Sequence, residues 1–467
     1  SIMSSYFTDA SARRRLAPSP CLIECRYLMA SSLSASSSPD SPASVSTAQS
    51  ELPEPLKARG RDWRRMTQAL CLGSFVVFIN LYLVQPLLPL LATDLGLSSL
   101  QASLSLSVST LTLAMALLVF GPLSDALGRR RILLWTLAGG VACSGLALFA
   151  EGFWSLLAVR ALQGFLLGGL PAVAVAYMSD EMEQPALMVA VGLYISANSL
   201  GGISGRVAGG VIAEHWGWQA SFAAIGGVSL LVLGALWQLL PRQRRFVAQP
   251  LKLSSMLAGL GRHLRNPRLW PVFLLGGLNF FIFVNLYSYM TFRLSEAPWS
   301  LSSQWLGLLF LTYLAGTFGA SQSGRLARRL VPGGAAENGE AALAIAQRRG
   351  QALTMMLGTG IVMLGTLLTL SHSLIGMLIG LSLNAFGFFL AHATASAWVG
   401  RNAEGARASA SALYLTAYYL GASLGGFWLE PFWQAAGWPG VVAASVLVLA
   451  VTFSLAILCW RRATTQY

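Results

Sequence analysis

Leu193–Gly205 reads LYISANSLGGISG, and Leu413–Gly425 reads LYLTAYYLGASLG. The two stretches agree at Leu193/Leu413, Tyr194/Tyr414, Ala197/Ala417, Leu200/Leu420, Gly201/Gly421 and Gly205/Gly425, always 220 residues apart. Gly217-Trp218 and Gly437-Trp438 keep the same offset, and Asn-Leu-Tyr stands both at Asn80–Tyr82 and at Asn285–Tyr287. Similarity of this kind marks a duplicated structural unit. Around each copy the chain is apolar over lengths of about 20 residues, the length a helix needs to cross a bilayer. Twelve such spans can be marked: 68–92, 101–122, 131–150, 154–178, 187–213, 219–240, 269–292, 303–324, 351–371, 374–399, 407–430 and 438–460. The expected fold is an all-α membrane protein, twelve transmembrane helices in two pseudo-symmetric six-helix bundles. Its parts are a disordered tail over 1–65, a bundle over 66–240, a basic linker over 241–268 and a second bundle over 269–462.

Charge supports the same reading. Only 10% of residues are charged and 55% are hydrophobic, where soluble domains carry about 25% charged residues. With the N-terminus in the cytoplasm, 28 of the 31 Lys and Arg fall in cytoplasmic loops and tails; the others are Arg160, Arg206 and Arg293. Such a bias orients a polytopic protein, here with both termini cytoplasmic. The net charge of +13 is thereby placed by topology, and the aromatics lie mostly in the spans rather than interleaved with the basic clusters as nucleic-acid binding would require. Cys21 and Cys25 lie in the tail without His partners, and Cys71, Cys143 and Cys459 lie in or beside apolar spans, so neither a disulfide framework nor a metal site is expected. The tail shows no secretory signal. Met29 opens a more usual serine-rich leader, and residues 1–28 are expected to be an over-extended start.

Between spans two and three lies GPLSDALGRRR, Gly121–Arg131. Gly121 and Gly128 suit a tight turn, and Asp125 suits a helix cap or a pair with Arg129, Arg130 or Arg131. The loop resembles the signature of the major facilitator superfamily, G-x-L-x-D-x-x-G-R-[RK]-[RK], at Gly121, Leu123, Asp125, Gly128, Arg129, Arg130 and Arg131 without departure. The resemblance implies a conformational latch in which the acid and the basic cluster hold one half against the other. The second-half counterpart, GASQSGRLARR at Gly319–Arg329, lacks the acid. Arg160, Gln163, Gly164 and Gly168 are similar to the family's R-x-x-Q-G pattern. Gly201–Gly210 is similar to its exporters' G-x-x-x-G-P-x-x-G-G stretch, with Arg206 in place of the proline. Over about 66–462 the chain resembles the YnfM-type bacterial inner-membrane transport proteins.

Polar residues in the spans fall on single helical faces: Tyr82 and Gln85; Arg160 and Gln163; Asn198, Gly202 and Arg206; Asn279, Phe283 and Tyr287; Asn384, Phe388 and His392. The family's cavity is lined by spans one, four, seven and ten, so the resemblance implies a substrate pathway along these stripes. The same side chains also suit hydrogen bonds between helices. A buried arginine costs about 2.5–3.5 kcal/mol or more, and the acids Asp94, Glu151, Glu214, Glu296 and Glu430 all stand at outer ends. Arg160 is expected to be structural or coupling-related, and Arg206 to serve an anionic substrate. Proton coupling is expected at His392, at Asp125 or near Glu430.

The expected function is secondary transport of a small organic solute by alternating access, as export by proton antiport. The alternative is proton-coupled uptake or uniport of an organic anion. No cofactor or metal is expected, the partners being the lipid bilayer, the solute and protons, and the carrier acting as a monomer. No H-E-x-x-H, paired-carboxylate or Ser–His arrangement points to an enzyme, and no P-loop points to ATP.

Overall fold

Pro86 has no N–H to donate, and span one breaks beside it. The computed structural model describes residues 53–246, 248, 260–331, 339–403 and 407–464. Helix Arg61–Tyr82 passes through a 3-10 turn at Gln85–Leu87 into helix Leu88–Leu95. Spans two and three are Ser99–Leu127 and Arg129–Leu146; span four is Phe153–Leu167 followed by Gly169–Glu181. Spans five and six share one helical stretch, Gln184–Leu239, broken at Gly217 (φ 81°, ψ 166°). The chain doubles back there: Ser221 Oγ donates to Gly209 O at 2.9 Å, a pair about 18 Å apart along a straight helix. Gly437 (φ 58°) breaks Arg407–Thr464 into spans eleven and twelve in the same way, and Trp428 Nε1 reaches Ala444 O at 3.3 Å. Only glycine adopts these φ values without strain. The following residues of the repeat, Trp218 and Trp438, are both buried.

Trp270–Ser295 is span seven, Glu340–Leu368 span nine and Leu374–Asn402 span ten. Span eight is interrupted, with Ser303–Leu308 and Tyr313–Arg329 joined by a 3-10 turn at Leu309–Thr312. Among the described residues nine helical stretches are long and apolar enough to cross a membrane. Two of them are the stretches bent at Gly217 and Gly437, and span eight is not among them, an arrangement consistent with twelve crossings. The tail is shorter than the sequence predicts. Leu56 N donates to Glu181 O at 2.7 Å, Trp63 Nε1 donates to Ala186 O at 3.1 Å, and span one already begins at Arg61. Paired backbone and a hydrogen-bonded indole, rather than apolar periodicity, order these residues. The rest of the tail with Cys21 and Cys25, and much of the 241–268 linker, lie outside the described residues.

The repeated glycines are contact points between backbones. A Cβ at Gly201 or Gly205 would stand 2.5 Å from the carbonyl oxygen of Phe75 or Ile79 in span one. In the second half, a Cβ at Gly421 or Gly425 would stand 2.1 Å from Gly277 O or 2.3 Å from Phe281 O in span seven. Span five therefore lies against span one as span eleven lies against span seven. Across the halves, span two packs on span eleven and span five on span eight.

Candidate functional site

The break in span one creates the first polar cluster. A helix that ends at Tyr82 leaves its last carbonyls without intrahelical donors, and Arg160 fills the gap. Its Nη1 donates to Asn80 O at 3.1 Å, its Nη2 to Leu81 O at 2.8 Å and its Nε to Ser105 O at 3.1 Å. Nη1 also meets Gln163 Oε1 at 2.5 Å, and Gln163 Nε2 donates to Ser144 Oγ at 2.8 Å. Ser144 Oγ donates to Asn80 Oδ1 at 2.8 Å, while Asn80 Nδ2 donates to Ser229 Oγ at 2.7 Å. Arg160, Gln163 and Asn80 are fully buried. This network pins spans one, two, three, four and six of the first half to one another, and it commits all three nitrogens of Arg160 to partners in that half.

Arg206 has a different setting. It is 2% exposed, its guanidinium carbon 4.0 Å from the centre of the Tyr82 ring, 4.7 Å from that of Tyr313 and 4.8 Å from that of Phe310. Tyr82 belongs to the first half and the other two rings to the second. Desolvated contacts of this kind are worth about 2 kcal/mol each. Nε donates to Gln85 Oε1 and Nη1 to Gly202 O, both at 2.8 Å. Gln85 Nε2 then crosses to span seven, donating to Val284 O at 2.9 Å and Ser288 Oγ at 3.0 Å. The 3-10 turns of spans one and eight meet here, and nearby Tyr287 OH bonds Thr312 Oγ1 at 2.8 Å and Leu381 O at 2.9 Å.

Further along the interface the second half presents aromatic rings. Phe280 stacks on Tyr418 at 3.7 Å and Phe283 on Phe388 at 3.9 Å. His392 lies 4.6 Å from Tyr418, and its Nδ1 and Tyr414 OH are 2.8 Å apart. Asn279 is 1% exposed, and neither atom of its amide has a partner. Thr110 Oγ1 and Ser423 Oγ meet at 3.0 Å at mid-span, and Ser99 Oγ reaches Glu430. Of the stripes drawn from sequence, Tyr82, Gln85, Arg206 and Tyr287 come together where the halves meet. Asn198 instead accepts from Ser74 between spans five and one. Asn384 Nδ2 donates to Thr366 Oγ1 at 2.9 Å between spans ten and nine. Sequence reasoning missed Ser99, Thr110, Ser423, Tyr289, Phe310 and Tyr313; the recurrence of hydroxyls at Ser99, Ser103, Ser105, Ser107, Ser109 and Thr110 was the one available signal.

The GPLSDALGRRR loop is tied within its own half. Arg129 pairs with Asp125 at 2.8 Å and with Asp180, at the end of span four, at 2.5 Å. Arg130 Nε and Nη2 donate to Leu240 O and Trp237 O at the end of span six, and Arg131 is exposed. The turn is at Gly128 (φ 99°). Gly121 sits inside the helix Ser99–Leu127, where a Cβ would meet nothing within 4 Å, so the tight turn expected there is absent. No metal-binding group of His, Cys, Asp and Glu occurs among the described residues.

The Major Facilitator Superfamily model matches residues 70–426. The chain belongs to the Major Facilitator Superfamily. It is 35% identical over 399 residues to the MFS-type transporter YybF of Bacillus subtilis, covering 85% of this chain and 92% of that one. It is 34% identical over 398 residues to the inner membrane transport protein YnfM of Escherichia coli, covering 85% and 91%. Among solved structures, a point mutant of the nucleoside transporter NupG superposes with a TM-score of 0.65 at 15% identity, covering 85% of this chain and 100% of that one. That last likeness speaks to fold alone. As a superfamily member the chain is a multi-pass secondary transporter of a small molecule and not an enzyme.

Proposed function

We propose that this superfamily member exports a small organic solute by proton antiport across a bacterial inner membrane, acting as a monomer with both termini in the cytoplasm. The observation that carries the reading is the placement of contacts between the halves. Among the described residues, the hydrogen bonds from one half to the other lie at mid-span or towards the face that bears Gly96, Gly217 and Gly437: Gln85 to Val284 and Ser288, Ser99 to Glu430, and Thr110 with Ser423. Gly210 lies against Ser303 and Gly307 at the same level. With the termini inside, that face is the outer one, and this is the inward-facing state of an alternating-access carrier. The signature loop, tied within its own half, is the latch in its released position. Phe280, Phe388, His392, Tyr418 and the unpaired Asn279 make a pathway suited to an aromatic or amphipathic solute, held by rings and oriented by few polar groups.

Proton-coupled uptake or uniport of an organic anion is the alternative, favoured by Arg206, an arginine within the spans that reaches both halves. Three rings and Gln85 already surround that guanidinium, so an anion would have to displace them, and export is preferred. Everted vesicles with an acid interior and a pH-sensitive dye, challenged with organic anions, cations and neutral compounds, test the choice. Collapse of the gradient by particular compounds, lost with Arg206→Ala, is the expected result. A folded carrier that leaves the gradient intact across the panel while accumulating an anion would establish the alternative.

A further inference from the structure

Glu430, near the outer end of span eleven, is bound from both halves at once. Ser99 Oγ, from span two of the first half, lies 2.9 Å from Oε1 and 3.0 Å from Oε2. Tyr289 OH, from span seven, donates to Oε2 at 2.6 Å, and Gln434 Nε2 donates to Oε1 at 2.8 Å from the next turn. Every partner is a neutral donor. Among the described acids, Asp62, Asp125 and Asp180 pair with arginines, and Glu430 alone is hydrogen-bonded across the halves. Of the groups packed against it, span two supplies Ser99, span seven supplies Tyr289, and its own turn supplies Gln434. The next cation along span seven, Arg293, lies over the Trp438 ring at 5.7 Å.

We propose that Glu430 is a proton-binding residue of the closure between the halves: ionised, it clasps them together at this face, and protonated, it lets them part. Donor counting gives the direction. An ionised carboxylate only accepts, and all three neighbours have a proton to offer it. A protonated carboxyl must itself donate: Gln434 Nε2 cannot accept that proton, and Ser99 Oγ or Tyr289 OH accepts it only by turning its own proton away from the carboxyl. Bonds to an ionised acceptor are about twice as strong as neutral ones, so protonation weakens the only bond here that joins the halves. Gln434 is exposed, and a proton reaches the site from that face. The clasp holds at high pH and is lost as the pH falls. That the sensed compartment is the outer one rests on the orientation proposed above.

The test needs no solute. Spin labels at Phe149→Cys in the first half and Ser373→Cys in the second, both exposed, would report the width of this face by pulsed electron resonance in nanodiscs, in a chain stripped of its native cysteines. The parent should show a short distance at pH 8 and a growing long-distance population as the pH is lowered. Glu430→Gln, which is isosteric and uncharged, should show about a tenfold larger open-to-closed ratio at pH 8 and no pH response. Ser99→Ala, which spares the carboxylate, should open the face at pH 8 and decides the matter if Glu430→Gln does not fold. A folded Glu430→Gln protein that keeps the parent's pH response, or a Ser99→Ala protein with the parent's distances, would overturn the assignment and leave alternating access standing. A parent held at one long distance at every pH would overturn both the assignment and the inward-facing reading.

Discussion

Two arginines at comparable depth do opposite work, and the difference lies in what each can reach. Arg160 spends its donors on Ser105, Asn80, Leu81 and Gln163, all in one half. Replacing it with leucine strands the Asn80 and Leu81 carbonyls and the Gln163 amide oxygen, each costing about 1–3 kcal/mol when buried unpaired, while Ser105 O keeps the Ser109 hydroxyl. Arg160→Leu should therefore cost at least about 3 kcal/mol, read as loss of monodisperse protein and a lowered unfolding midpoint in detergent. Removing Arg206 loses ring contacts of about 2 kcal/mol each, but it also relieves the cost of a buried arginine, about 2.5–3.5 kcal/mol or more, and it leaves behind rings and Gln85, which can repack. Arg206→Ala should fold and insert with a near-parental unfolding midpoint yet lose transport, as measured by solute flux in vesicles. A collapse in its folded yield would show that Arg206, too, is a scaffold residue.

Helices meet closely where the sequence repeats and bend where glycine is forced, and the two uses of glycine separate under mutation. A Cβ at Gly421 would meet Gly277 O at 2.1 Å, so Gly421→Ala should push span eleven off span seven and lower the unfolding midpoint sharply. Gly128→Ala imposes a strained backbone at φ 99°, at a cost of about 1–2 kcal/mol. Gly121→Ala meets open space inside a helix and should be neutral or stabilising by about 0.5–1 kcal/mol. Thermal unfolding of the three variants side by side checks the order. The elements were legible because apolar length and the repeat are written along the chain. The bends at Gly217 and Gly437 could be placed because Gly-Trp recurs at the repeat's own offset. The partners across the interface were not legible. Nothing in a serine at position 99 or a tyrosine at 289 announces a carboxylate more than a hundred residues away. Arg206's cage joins rings from spans one and eight, which only tertiary packing brings together. At Asn384, expected on the pathway, the helical phase said that a neighbour would be faced but not which one, and the amide bonds Thr366 of span nine.

For the whole molecule, the hydrogen bond that joins the halves at mid-span is made by two small side chains. Thr110 Oγ1 and Ser423 Oγ stand 3.0 Å apart, close enough for Thr110→Cys and Ser423→Cys to form a disulfide. That double variant should cross-link on mild oxidation, stop transport, and recover on reduction, with neither single variant affected. Cross-linking without loss of transport would mean that the halves need not separate at mid-span.

The Arg206 cage also has a thermodynamic consequence for sidedness. A solute arriving at the closed mouth binds only the fraction of carriers that have already broken those contacts, and its apparent dissociation constant is raised by the inverse of that fraction. If opening costs about 1.4 kcal/mol, the penalty is about tenfold on that side alone. One chemical site with one intrinsic affinity would then look weak from one compartment and tight from the other. Mutations that loosen the cage would narrow that gap without touching the solute.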